Sequence, residues 1–188
     1  MKGRQIFKKY KIIINIFETL GRLLPTFMWN LLWVSVINSE SKLSLFVRYL
    51  YVRKYSASCG DNIYIGQGVI IKNIQYLELG SNISIHAYSY LDAAGRINIY
   101  NNVSIAHHSS LISFDHTWEN SEIPIKYNKV VKGKILINED VWIGCGCRIL
   151  SNVTIGSRSV IAAGAVVKND VVSKTLVGGV PAKEIKKI

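Results

Sequence analysis

From Ile137 onward one large apolar residue recurs every six positions: Ile137, Ile143, Ile149, Ile155, Ile161 and Val167. Four residues after each stands a small or β-branched partner, namely Val141, Cys147, Val153, Ser159, Ala165 and Val171, and Gly144, Gly156 and Ala162 directly follow large residues. A period of six fits neither a 3.6-residue helix nor a two-residue strand alternation. It suits short strands joined by regular corners, three strands of about eighteen residues together making one triangular coil. Each large side chain then fills the interior, its small partner fits beside it, and Gly, Asn or Asp takes the corner dihedrals.

The same beat runs earlier in broken phase through Ile65 and Ile71, Leu79, Ile85 and Leu91, then Ile99, Ile105 and Leu111. The steps from 71 to 79 and from 91 to 99 are eight instead of six, which two extra corner residues absorb without changing which side chains face inward. Ile112 to Leu136 breaks the rhythm and predicts a loop projecting from the coil over about residues 113–134. Long excursions from a rigid scaffold commonly carry function.

Ahead of the coil, Ile6, Phe7, Tyr10, Ile13, Ile14, Phe17, Leu20 and Leu24 fall at steps of three and four, with Lys8, Lys9, Lys11, Glu18 and Arg22 on the other side. That spacing predicts a basic amphipathic helix. Leu23 to Ser39 is uncharged for 17 residues but contains Pro25, Asn30, Ser35 and Asn38, which is marginal for a membrane span. Trp29 and Trp33 beside basic flanks suit an interfacial helix. Two readings of residues 1–55 stay open: helices packed on the coil or a subunit interface, or peripheral contact with a membrane. No small-residue cleavage site follows a compact apolar core, so a cleaved signal peptide is not expected. The chain thus divides into an N-terminal helical region (1–58), the coil (59–175) and a C-terminal tail (176–188).

Composition sharpens this division. At 188 residues, 49% hydrophobic and 19% charged, the chain has the makings of one well-cored domain and not of a disordered segment. The net charge of +11 alone suggests nucleic acid, a membrane surface or an anionic ligand. Residues 1–60 carry 10 basic and 2 acidic residues, 61–167 carry 8 and 8, and 168–188 carry 5 and 2. The coil is neutral, so no nucleic-acid partner is expected. Cys59, Cys145 and Cys147 are odd in number, without C-x-x-C or zinc-finger spacing, and point to a reducing, cytoplasmic compartment, at most at the inner face of the cytoplasmic membrane.

Over residues 59–188 the sequence resembles the hexapeptide-repeat acyltransferases, most of all the sugar O-acetyltransferases of the galactoside, maltose and capsule or lipopolysaccharide type. The likeness is carried by Val141-Trp142-Ile143-Gly144, Val153-Thr154-Ile155-Gly156, Ile161-Ala162-Ala163-Gly164-Ala165-Val166-Val167 and Gly179-Val180-Pro181-Ala182-Lys183. The resemblance implies a mainly β fold, a left-handed parallel β-helix, acetyl-CoA as co-substrate with no metal needed for catalysis, and a homotrimer with active sites between subunits.

It also implies site residues. His116, five after Leu111, matches the family's catalytic base, and an imidazole with a pKa of about 6.5 suits removal of a hydroxyl proton at neutral pH. The backbone N–H of Cys145 matches the donor to the tetrahedral oxyanion. Asp115 is a candidate to orient the base or touch substrate, although neighbouring strand residues point to opposite faces. His86 stands where the sugar enzymes often place an acceptor-holding Asn. His107 and His108 line the same cleft or are ordinary corner residues. Trp142 borders the acceptor pocket or is simply an exposed strand residue. Ala163 and Gly164 match positions where the pantetheine arm lies close to the coil. Lys183, Lys186 and Lys168 match or neighbour basic positions that meet the coenzyme phosphates, against the alternative of a solvated tail.

The leading expectation is acetyl transfer to a sugar hydroxyl in surface polysaccharide synthesis. A second is N-acetylation of an amino sugar or its nucleotide conjugate. A third is a γ-carbonic-anhydrase-like metal hydrase using His86, His107 and His116, and the last a non-catalytic scaffold coil.

Overall fold

A computed structural model describes residues 3–188; residues 1 and 2 of the expected helical region, and the Ile6 side chain, lie outside the description. Three helices precede the coil: α1 (Gly3–Leu23), α2 (Thr26–Val36) and α3 (Lys42–Tyr55). The coil that follows has three parallel walls. The first contains 58–59, 77–79, 97–99, 135–137 and 154–155; the second 63–65, 83–85, 104–105, 142–143, 160–161 and 175–178; the third 70–72, 90–92, 110–112, 148–149 and 166–167.

The six-residue beat is the interior. Ile65, Ile85, Ile105, Ile143, Ile161 and Val177 stack in register along the second wall, and Leu79, Ile99, Ile137 and Ile155 along the first. Ile71, Leu91, Leu111, Ile149 and Val167 do so along the third. Apart from half-buried Ile71, all these residues are buried. Burying one such side chain contributes about 1.5–3 kcal/mol, so the ladders hold the coil together. The two eight-residue steps are met by a 3₁₀ turn at Ile74–Tyr76 and a turn ending at Arg96, whose φ is +78°.

The helices sit against the first coils. In α3, which has no simple apolar period, Ser41 caps the start by accepting from the Ser44 N–H, and Ser44, Arg48, Tyr49 and Val52 are buried. The Arg48 guanidinium lies inside the protein and donates to the carbonyls of Ile65, Val36 and Ser39, tying α2, α3 and the coil at one point. Lys54 donates to the carbonyls of Gly21 and Leu24, closing the C-terminus of α1.

Two expectations need correction. Trp29 and Trp33 do not face outward as interfacial anchors. Trp29 is buried with its indole N–H on the Gly21 carbonyl at 2.8 Å, because a buried indole needs an acceptor, and Trp33 packs on Tyr51. Nor is α1 polar on its outer side: Ile12, Ile16, Leu20 and Leu23 are all exposed there. Among the described residues no helix is long and apolar enough to cross a membrane. The C-terminal stretch, read as a tail, ends in a strand (Lys183–Lys187) that pairs antiparallel with Thr175–Gly178.

Candidate active site

The chain leaves the third wall at Ile112 and returns to the first at Ile135. Between them, Phe114–His116 and Val130–Lys132 pair as an antiparallel hairpin, with His116 opposite Val130. Its base is pinned to the coil. The buried Ser113 hydroxyl donates to the Asp92 carbonyl at 2.6 Å and accepts from the Gly95 N–H at 2.8 Å. Farther out, buried Asn128 and Asn120 bond to each other in both directions, which holds the loop beyond the strands.

His116 is exposed at this pinned base, edge-on to Phe114, and its imidazole hydrogen-bonds to no described residue. Asp115 points the other way and accepts a hydrogen bond from the Ser151 hydroxyl of the next coil. Strand alternation thus gives the two neighbours different tasks: Asp115 ties the hairpin down while His116 faces outward.

A second group lies at the corner between the second and third walls. Backbone hydrogen bonds stack His86, Ala106, Gly144, Ala162 and Gly178 in one column, and Ala87, His107, Cys145 and Ala163 beside it. His86 stacks near Tyr64, His108 on Tyr88, and His107 meets His108 edge-on. Burial lowers the His86 pKa below the usual imidazole range, and the neighbouring His107 lowers it further. The Cys145 N–H donates to no described residue, although its carbonyl accepts from Gly164 at 2.8 Å. Gly146 and Gly164 both have positive φ, and a Cβ at either would meet nothing within 4 Å. The corner therefore offers a bare strip of backbone along which the N–H groups of His107, Cys145 and Ala163 donate to no described residue. Cys147, by contrast, is buried, gives its thiol to the Ala162 carbonyl, and has its pKa raised by that burial.

Lys183 pairs with Gly178 at the end of this corner, next to Ala162. Lys186 pairs with Leu176 toward the far end of the same strand, and Lys168 lies just past the third wall. The three lysines are not gathered at one place within the chain. Trp142 is 55% exposed on the outer face of the second wall, beside Asn102, Ser104 and Arg158. No hydrogen bond or ring contact joins His116 to Cys145, His86, His107 or Trp142 among the described residues. Nor do these residues hold a group of three His, Cys, Asp or Glu able to bind a metal, so the three histidines of the hydrase reading are not one ligand set within the chain.

Sequence reasoning missed a groove of about 750 Å³ between α1 and the second wall. Phe7, Tyr10 and Phe17 line it on one side, Tyr64 and His86 on the other, and Arg4 stands at its rim, donating to Asn82 and Asn102. The outward positions Tyr64 and Ser84, in register on the second wall, both face it.

A family model described as bacterial transferase hexapeptide (six repeats) matches residues 134–169. A putative acetyltransferase of Saccharomyces cerevisiae is 34% identical over 149 residues, 73% of this chain and 69% of that protein. A dTDP-4-amino-4,6-dideoxy-D-glucose acyltransferase of Escherichia coli is 31% identical over 137 residues, covering 66% of this chain and 71% of its own length. Among solved structures, a galactoside acetyltransferase in complex with coenzyme A aligns with a TM-score of 0.76 at 25% identity, over 92% of this chain and 82% of that one. With its interior ladders, projecting hairpin and bare glycine corner set beside these likenesses, the chain belongs to the hexapeptide-repeat acyltransferases, enzymes folded as a left-handed parallel β-helix.

Proposed function

We propose that the protein transfers an acetyl group from acetyl-CoA to a hydroxyl of a saccharide destined for a surface polysaccharide, in a homotrimer whose sites lie between subunits. The observation that carries this reading is the separation of two incomplete halves. A free imidazole stands on one edge of the coil, and an unspent N–H beside a bare strip stands on another. Rotational symmetry brings such edges of neighbouring copies face to face.

In that arrangement the pantetheine arm lies along Ala163 and Gly164, and Lys183, at the end of the same corner, meets a coenzyme phosphate. The thioester carbonyl sits at Cys145. The acceptor enters between His86, His107 and Trp142. His116 of the adjoining copy takes the hydroxyl proton as the oxygen attacks the thioester carbon. The negative charge that develops on the carbonyl oxygen is met by the Cys145 N–H. Collapse expels the coenzyme thiolate, which recovers the proton from the imidazolium. Atoms balance with no covalent acyl-enzyme, so neither Ser113 nor Cys145 needs to act as a nucleophile.

The similarity to a sugar-nucleotide acyltransferase favours a second reading, in which the acceptor is the amine of an amino sugar. Thiol release from acetyl-CoA with matched panels of hydroxyl and amino sugars separates the two. In either case His116→Ala is expected to lower kcat by at least 100-fold while coenzyme binding is kept. Unchanged turnover removes His116 as the base.

A further inference from the structure

Helix α1 has two apolar faces. One packs on α3 and the coil through Phe7 and Ile14, with Phe17 edge-on to Phe46. The other carries Ile12, Ile16, Leu20 and Leu23, which are 53–79% exposed. Helix α2 repeats the arrangement: Trp29 is buried on one side, while Phe27, Leu31 and Val34 are 64–71% exposed on the other. Leu23 and Phe27 flank Pro25, so the two stripes meet at the α1–α2 corner. Single exposed apolar residues are ordinary on a protein surface, but seven at helical spacing on two successive helices are a surface awaiting a partner.

Charge says which partner. The inward charges of α1 are already engaged, Lys11 with Asp61 and Glu18 with Arg53 and Tyr49. Lys8, Lys9 and Arg22 border the outer stripe, are exposed, and have no carboxylate partner among the described residues. No acid stands on either outward stripe, and the stretch from Leu23 to Ser39 has no charge at all. A second copy presenting this same face would bring lysine to lysine. An anionic bilayer offers apolar depth for the stripe and opposite charge for its border. At about 1.5 Å per residue the stripe from Ile12 to Leu23 gives a line of contact about 17 Å long on α1.

We propose that the outward faces of α1 and α2 dock the enzyme onto anionic membranes, lying in the interface without crossing it. Trp29 and Trp33 play no part in this contact, since they pack inward; the aliphatic residues of α1 and the Phe27 edge of α2 enter the lipid. The proposal does not depend on the acceptor or on the catalytic roles assigned above.

Co-sedimentation of the full chain with vesicles tests it. Vesicles of mixed phosphatidylglycerol and phosphatidylcholine should carry the protein down, and those of phosphatidylcholine alone should retain several-fold less. The variant Ile16→Ser/Leu23→Ser/Leu31→Ser alters only exposed side chains and should lower the bound fraction at least tenfold, with thiol release from acetyl-CoA and the solution mass unchanged. Lys8→Gln/Lys9→Gln should weaken binding and flatten its salt dependence. The proposal is overturned if the wild-type protein stays in the supernatant with both vesicle types, or if the triple variant binds as wild type does. It is likewise overturned if the triple variant lowers the mass by light scattering, because the stripe is then a subunit contact.

Discussion

Gly95 and Ser113 are held so closely that a Cβ on residue 95 would lie 2.0 Å from the Ser113 carbonyl oxygen, while the Gly95 N–H donates to the Ser113 hydroxyl. Ser113 is the last coil residue before the hairpin that carries His116. An alanine at 95 must therefore push the hairpin base outward. A displacement of about 1 Å at a reacting group costs as much as 100-fold in rate. Gly95→Ala is expected to reduce kcat by tenfold or more with little change in KM for acetyl-CoA, whose proposed site is on another edge. Steady-state kinetics with the coenzyme varied checks the split; a change confined to KM contradicts it.

The coil was readable in the sequence because a triangular interior accepts only a branched apolar residue at each six-residue step, and Ile65 through Val167 obey it even where the phase slips. The hairpin was readable as the place where that demand lapses. The N-terminal region was less so. Helix α3 buries Arg48, Ser44 and Tyr49, so its inner face has no apolar signature. In α1 the outward Ile12, Ile16 and Leu23 were masked by the stronger inward period. Trp29 looked like an anchor only because its acceptor, the Gly21 carbonyl, comes from the preceding helix. At the candidate site, single residues such as His116, Cys145 and Gly164 could be matched one by one to a family pattern. Their separation on two edges of the coil, and the groove beside His86, depend on stacking between residues twenty or more apart and had no local trace.

Arg48 is fully buried; its Nε and Nη1 donate to three backbone carbonyls from two segments, while Nη2 is buried without a partner. Burial lowers its pKa, opposed by the fields of Tyr64 and Glu40; with no carboxylate in direct ion-pair contact, the carbonyls are its only hydrogen-bond partners among the described residues. Arg48→Ala removes the guanidinium, opens a cavity and leaves buried acceptors unsatisfied at about 1–3 kcal/mol each. A loss of about 3–5 kcal/mol is expected by denaturant unfolding, larger than for a surface arginine such as Arg158→Ala. A loss below about 1 kcal/mol would show that water replaces the guanidinium.

The depressed pKa of His86 has a direct consequence for stability. The folded protein holds this imidazole neutral at pH values where an unfolded chain, with a pKa of about 6.5, has begun to protonate it. The unfolded state then binds more protons, so the contribution of His86 is complete above about pH 6.5 and is lost as pH falls from there through the folded-state value. His86→Gln should flatten the stability-versus-pH curve in that window, and His107→Ala, which removes the nearby imidazole, should raise the lower edge of the window and so narrow it. Denaturant midpoints measured from pH 5 to 8 test both; identical slopes in wild type and His86→Gln would contradict the assignment.

The proposed division of the site between subunits makes a quantitative prediction of its own. His116→Ala destroys the base but leaves the corner intact, whereas Gly164→Glu blocks the bare strip, where a side chain has open space to stand, and leaves the base intact. Each variant alone should be inactive. In the proposed trimer every site takes its base from one copy and its corner from the next, so random mixing of equal amounts restores a site whenever an intact base faces an intact corner. That happens at about one site in four, the product of two even chances in a closed ring. Co-expression followed by purification of the whole trimer population, unmixed trimers included, should therefore return about a quarter of wild-type turnover. If base and corner were instead assembled within one chain, no combination would rejoin them, and the mixture would be as inactive as either parent.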